Sequence, residues 1–165
     1  MSFDEFNRAD REAAIATLRP CVDIERWCEE LADGRPYASV DDLVTRAEVA
    51  AAPFTVDEVE AALAHHPRIG ERARGEHAEA AMSRAEQAGV DPSDAAIAAE
   101  LAEGNRAYEQ RFGRVFLIRA AGRSAQEILD ALTRRLGNTP AEEQLVVAEQ
   151  LREIAVLRLK GRFAT

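Results

Sequence analysis

A chain of 165 residues that is 47% hydrophobic carries enough apolar material to bury a core, and a single domain over residues 1–165 is expected. Its 30 acidic against 21 basic residues give a formal net charge of −9, which leaves no basic face able to neutralise many phosphates and argues against a nucleic-acid partner. The acidic start Met1-Ser2-Phe3-Asp4-Glu5 is no secretory signal, no apolar run approaches a membrane span, and the closing Phe163-Ala164-Thr165 is no peroxisomal address; a cytoplasmic protein without membrane contact is expected.

Aromatic residues make up only 5% of the chain, so the core has to be built from Ala, Leu, Ile and Val. Such small and branched side chains let helices approach closely, which favours an all-α fold. A first helix is expected around residues 10–19. Cys21 and Cys28 lie seven residues apart in what reads as one helical region, roughly 10 Å along its axis, too far for a disulfide. A reducing compartment follows. A helix over 23–33 contains Trp27 and is closed by Gly34 and Pro36, and Ser39 with Asp42 opens the next. Thr55-Val56-Asp57-Glu58 is a capping box, and its helix has to end near His66 because Pro67 follows.

Glu76 to about Ala88 reads as a further helix with Gly89 as its stop. Asp91-Pro92 reads as an N-cap with proline at the first helical position, leading a long helix that Gly113 ends. Val115-Phe116-Leu117-Ile118 is a short apolar run that can be extended. Ser124 with Glu127 forms another capping box before a helix ended by Gly137, and Thr139-Pro140 with Glu142 starts a last helix running towards Lys160. The expected architecture is a single-domain bundle of about eight helices without internal repeats.

Three places could carry chemistry. His66 stands at a helix C-terminus, where the helix dipole favours the imidazolium, and Pro67 fixes the backbone directly after it. Alone, such a histidine can equally cap a carbonyl. Ser83, Glu86 and Gln87, at i, i+3 and i+4, share one helical face. Their hydroxyl, carboxylate and amide suit a ligand rich in ureido or carboxylate groups, and the carboxylate can exchange a proton with an imidazole. A solvated polar stripe would look the same. Arg158 interrupts the apolar stripe of Leu151 and Ile154, so it either meets an anion or snorkels to solvent. No zinc-binding spacing, phosphate-cradling loop or dinucleotide-binding glycine motif is present, and nothing places Cys21 or Cys28 beside a base.

Taken together, several motifs carry a resemblance: Phe6-Asn7, His66-Pro67-Arg68-Ile69-Gly70, Ser83-Arg84-Ala85-Glu86-Gln87, Asn105-Arg106-Ala107-Tyr108, Arg111-Phe112-Gly113, Phe116-Leu117-Ile118, Gly122-Arg123-Ser124, Glu153-Ile154 and Arg158-Leu159. In this order and over nearly the whole chain, the sequence resembles the 2-oxo-4-hydroxy-4-carboxy-5-ureidoimidazoline (OHCU) decarboxylase family. The resemblance implies an all-α fold without metal or organic cofactor and conversion of OHCU to (S)-allantoin in urate breakdown. It further implies that His66 is catalytic with Glu86 assisting. Substrate contacts are implied for Pro67, for Ser83, Arg84, Ala85 and Gln87, and for the backbone from Ile118 through Arg119, Ala120 and Ala121 to Gly122. Arg158 would hold a substrate oxyanion or carboxylate. Arg119 departs from the pattern, standing where a small residue or cysteine is expected. The implied partner is the small-molecule ureidoimidazoline, and a homodimer is compatible with apolar positions left over on several helices. Two rival readings are a helical interaction module working through its acidic surface, and a hydrolase of a related ureide in which His66 and Glu86 activate water.

Overall fold

The computed structural model describes residues 1–64, 69, 78–90 and 94–164, and every α-helix and 3-10 turn below lies among them. Nine α-helices and no strand occur among the described residues, as the all-α expectation requires. The chain forms two compact units, Met1–Ala62 with Leu151–Thr165, and Leu63–Gln150.

In the first unit, α1 (Phe3–Arg8) is a helix beyond the expected eight, closed at its start by a capping box: the Glu5 N–H donates to Ser2 Oγ (3.2 Å) and the Ser2 N–H to Glu5 Oε2 (2.6 Å). α2 (Arg11–Leu18) is capped by Asp10, whose carboxylate accepts from the Ala13 N–H at 2.8 Å. It stops at Leu18 because Pro20, lacking an N–H, cannot continue it. Cys21 therefore lies in a turn, not on the helix that carries Cys28, α3 (Glu25–Asp33), which corrects the expectation of one helical region. Both cysteines are buried and form no disulfide, and burial pushes the Cys28 thiol up to about 12.

α3 packs on α2 and on α4 (Val40–Ala50). Trp27, fully buried, gives its indole N–H to the Ala47 carbonyl at 3.1 Å. α5 (Val56–Leu63) opens with the expected Thr55–Glu58 box, the Glu58 N–H donating to Thr55 Oγ1 and the Thr55 N–H to Glu58 Oε1. That helix ends at Leu63, with Ala64 in a turn, three residues short of His66, which lies outside the described residues.

In the second unit, α6 (Ala78–Gln87) runs into a 3-10 turn, Ala88–Val90, and its expected start at Glu76 lies outside the described residues. α7 (Ala95–Phe112) begins later than the Asp91-Pro92 signal suggests. Its cap is Asp94, which accepts from the Ala96 N–H at 2.8 Å, while residues 91–93 lie outside the described set. Gly113 ends α7 as expected, in the left-handed conformation (φ +68°) that a glycine adopts without penalty.

α8 (Ala125–Arg135) starts with the Ser124–Glu127 box and packs against α7 so closely that a Cβ on Gly104 would lie 2.4 Å from Leu132 Cδ2. α9 (Pro140–Arg162) opens on Thr139, whose hydroxyl accepts from the Glu142 N–H, and its residues fall in the second unit up to Gln150 and in the first from Leu151. Ile69, Val90, Leu101, Tyr108, Phe116, Ile118, Ala120 and the inner face of α8 form one apolar cluster in this unit.

Candidate active site

Helix α6 presents the Ser83-Arg84-Ala85-Glu86-Gln87 motif. Its periodicity turns Ser83 inward to 2% exposure, with Arg84, Glu86 and Gln87 half-buried and Ala85 exposed. A fully solvated polar stripe is thereby ruled out, since the hydroxyl and its i+3 and i+4 neighbours face or border the interior. His66 and Pro67 lie outside the described residues. Ile69, three positions further along the same motif, is buried, and its carbonyl accepts a hydrogen bond from Asn105 Nδ2 of α7 at 2.9 Å. Asn105 is itself buried, and its Oδ1 has no hydrogen-bond partner among the described residues.

The apolar run after Gly113, which could have been extended, belongs to no helix or strand among the described residues. Phe116, Leu117 and Ile118 are all buried, as is Ala120. Arg119 is half-buried; its guanidinium NH1 turns back to the Ala121 carbonyl (2.8 Å), and its backbone N–H donates to Gln150 Oε1 (2.9 Å). The Arg123 N–H closes a turn on the Ala120 carbonyl (3.1 Å), with Gly122 in the left-handed region at φ +78° that the third position of such a turn demands.

Behind this segment sits a buried ionic network. Glu143 is 1% exposed; its Oε1 accepts from the Tyr108 hydroxyl (2.6 Å) and from Arg135 Nε and NH2 (2.9 and 2.5 Å), and its Oε2 accepts from Asn138 Nδ2 (3.0 Å). Arg135 NH1 donates to the Leu117 carbonyl at 2.7 Å, and the guanidinium lies 4.4 Å from the Phe116 ring centre. Burial, and next the hydrogen bond to Glu143, push the Tyr108 hydroxyl well above its ordinary range, so it stays protonated and donates.

Segments that stand far apart in sequence therefore meet. Ile69 of the His66 motif, Val90 just after the Ser83–Gln87 motif, and Ile118 and Ala120 of the segment after α7 share one apolar cluster. Arg158 belongs to the other unit. At 5% exposure it does not snorkel, and its NH1 donates to the Pro20 carbonyl at 3.3 Å. Reading the sequence residue by residue missed Asn105, Arg135, Glu143 and Gln150 as polar partners of these segments. For Arg135 a signal existed: with Ile128 and Leu132 it falls at i, i+4 and i+7, a charge on an apolar stripe like that of Arg158.

Among the described residues the chain is all-helical, and one apolar cluster holds Ile69, three residues after His66, Val90, three residues after Gln87, and Ile118 and Ala120 of the segment after α7. The family described as OHCU decarboxylase matches residues 7–160, and the chain belongs to that family. A 2-oxo-4-hydroxy-4-carboxy-5-ureidoimidazoline decarboxylase of Amia calva is 36% identical over 162 residues, covering 97% of this chain and 89% of that protein. One from Haloferax volcanii is 26% identical over 167 residues, covering all of this chain and 98% of its own. The crystal structure of an OHCU decarboxylase in the presence of (S)-allantoin superposes with a TM-score of 0.69 at 25% identity, covering 95% of this chain and all of that one.

Proposed function

We propose that this chain decarboxylates OHCU to (S)-allantoin in urate degradation, with His66 and Glu86 as its proton-handling pair. The observation that carries the reading is the family match over residues 7–160, supported by one apolar cluster that joins Ile69 of the His66 motif, Val90 after the Ser83–Gln87 motif, and Ile118 and Ala120. The chemistry suits these residues. When the ring carbon loses CO2, its bonding electron pair moves into the adjacent C=N, so no external electron sink is required. The ring nitrogen that receives the electrons takes a proton from solvent, while His66, oriented by Glu86, removes the hydroxyl proton as that oxygen becomes a carbonyl and returns it to one face of the neighbouring ring carbon, giving the S configuration. Pro67, Ser83, Arg84, Ala85 and Gln87, together with the backbone of Ile118, Arg119, Ala120, Ala121 and Gly122, hold the ureido and ring groups. Arg158 holds a substrate carboxylate or oxyanion.

The whole chain acts as one domain in this reading, which the family match supports by running through residues of both units. The setting is cytoplasmic; among the described residues no helix is long and apolar enough to cross a membrane. Exposed Val49, Val56, Leu145 and Leu157 leave apolar surface for a homodimer, which sedimentation equilibrium tests.

The reaction itself is tested by trapping its gas and its small products. CO2 released in step with allantoin supports the decarboxylase, and ammonia or urea released without CO2 makes the chain a hydrolase. His66→Ala and Glu86→Gln, each with a native circular dichroism spectrum, are expected to lower kcat by about 10²-fold or more. Wild-type activity in folded His66→Ala contradicts the assigned role.

A further inference from the structure

We infer that Gln150 and Arg135 are positioning residues for substrate recognition, locking the backbone on both sides of Ile118; the inference rests on the decarboxylase reading and deepens it. Residues 115–120 belong to no helix or strand, so no regular ladder supplies partners for their peptide groups. Burial of three successive side chains draws that backbone under cover, where each peptide group needs a hydrogen bond. Two such bonds come from side chains of other elements. The Leu117 carbonyl, which belongs to the peptide before the Ile118 Cα, accepts from Arg135 NH1 at 2.7 Å. The Arg119 N–H, in the peptide after it, donates to Gln150 Oε1 at 2.9 Å. Both peptide planes flanking Ile118 are thus fixed, and with them its two backbone dihedrals.

The anchors are themselves held. Arg135 is gripped by Glu143, which Tyr108 and Asn138 hold in turn, and its guanidinium stacks on Phe116. A buried ion pair of this kind adds little stability over apolar residues of the same volume, so its presence calls for a geometric use. Downstream, the Ala120–Arg123 turn and the contact of the Arg119 guanidinium with the Ala121 carbonyl continue the fixed backbone to Gly122. The residues read as substrate-binding through their backbone therefore start from a clamped point and end in a closed turn. Peptide groups preset in this way meet a ureido or carboxylate group without first ordering themselves.

Gln150 is half-buried and offers the cleaner test. Gln150→Met and Gln150→Ala remove the acceptor, Gln150→Glu keeps one, and Arg135→Lys retains the charge but cannot grip Glu143 and reach Leu117 at once. Initial rates are measured on OHCU generated in situ, beside thermal melts that report the folded fraction. The clamp predicts KM raised about tenfold in Gln150→Met and Gln150→Ala with kcat within about threefold, and a KM near wild type in Gln150→Glu. Arg135→Lys is expected to raise KM likewise. An active wild type whose Gln150→Met and Gln150→Ala forms keep the native KM, whatever their melting temperature, overturns the clamp alone. Failure of both to fold assigns Gln150 to stability and overturns it equally. A wild type that does not decarboxylate OHCU overturns the reading beneath it.

Discussion

At the scale of single residues, charge in apolar surroundings is the feature that organises the second unit. Glu143 repeats with Val147 and Leu151 at i, i+4 and i+8, and Arg135 continues the stripe of Ile128 and Leu132, so each is legible in the sequence as an anomaly. That they pair is not legible, because eight residues and a helix break separate them and either could have met solvent or a ligand. The pairing sets the energetics. Glu143→Ala, which strands a buried guanidinium, is expected to cost about 3–5 kcal/mol in urea unfolding. Tyr108→Phe removes one hydrogen bond to a carboxylate and should cost about 1.5–3 kcal/mol. Ser83 teaches the converse. A serine among Glu, Gln and Arg reads as surface, and only the packing of α6 turns it inward. The role of His66 rests on the motif it shares with its family and not on any property of a histidine before a proline.

At the scale of elements, local chemistry was the readable part. The boxes at Thr55, Ser124 and Thr139 and the glycine stop at Gly113 all form where their residues stand. Ser124→Ala is expected to lower stability by about 1 kcal/mol in denaturant titration. α1 shows what that chemistry alone leaves out. Ser2 and Glu5 spell the same box, yet six residues are too few for a helix to stand by itself, and the helix is sustained by Phe6 and Phe3 packing on the Phe163 ring from the far end of the chain. That contact has no local signature. Gly104 is similar: mid-helix glycine ordinarily weakens a helix, but here it admits Leu132 of α8. Gly104→Ala is therefore expected to lower the melting temperature, costing about 1–3 kcal/mol by overpacking where an open helix would gain.

At the scale of the whole molecule, the all-α class followed from composition and periodicity, whereas the division into two units did not, since α9 contributes to both without any break in its sequence. Acid sensitivity belongs to this scale as well. Burial alone would raise the Glu58 carboxyl, but the hydrogen bonds from Arg26 and the Thr55 N–H, with the charge of Arg26, outweigh it and hold the group below 4.5. A carboxyl depressed in the folded state stabilises the protein above its unfolded value, and that stability is lost as pH falls through the folded one. The melting temperature is thus expected to fall below about pH 4.5, and Glu58→Gln to lessen that fall.

The central claim is the reaction, and it is tested most directly by generating OHCU in situ from urate with the two upstream activities and following the circular dichroism of the allantoin formed, with and without this protein. Rapid appearance of the S enantiomer is the predicted result. Racemic allantoin, formed no faster than in the protein's absence, would contradict it.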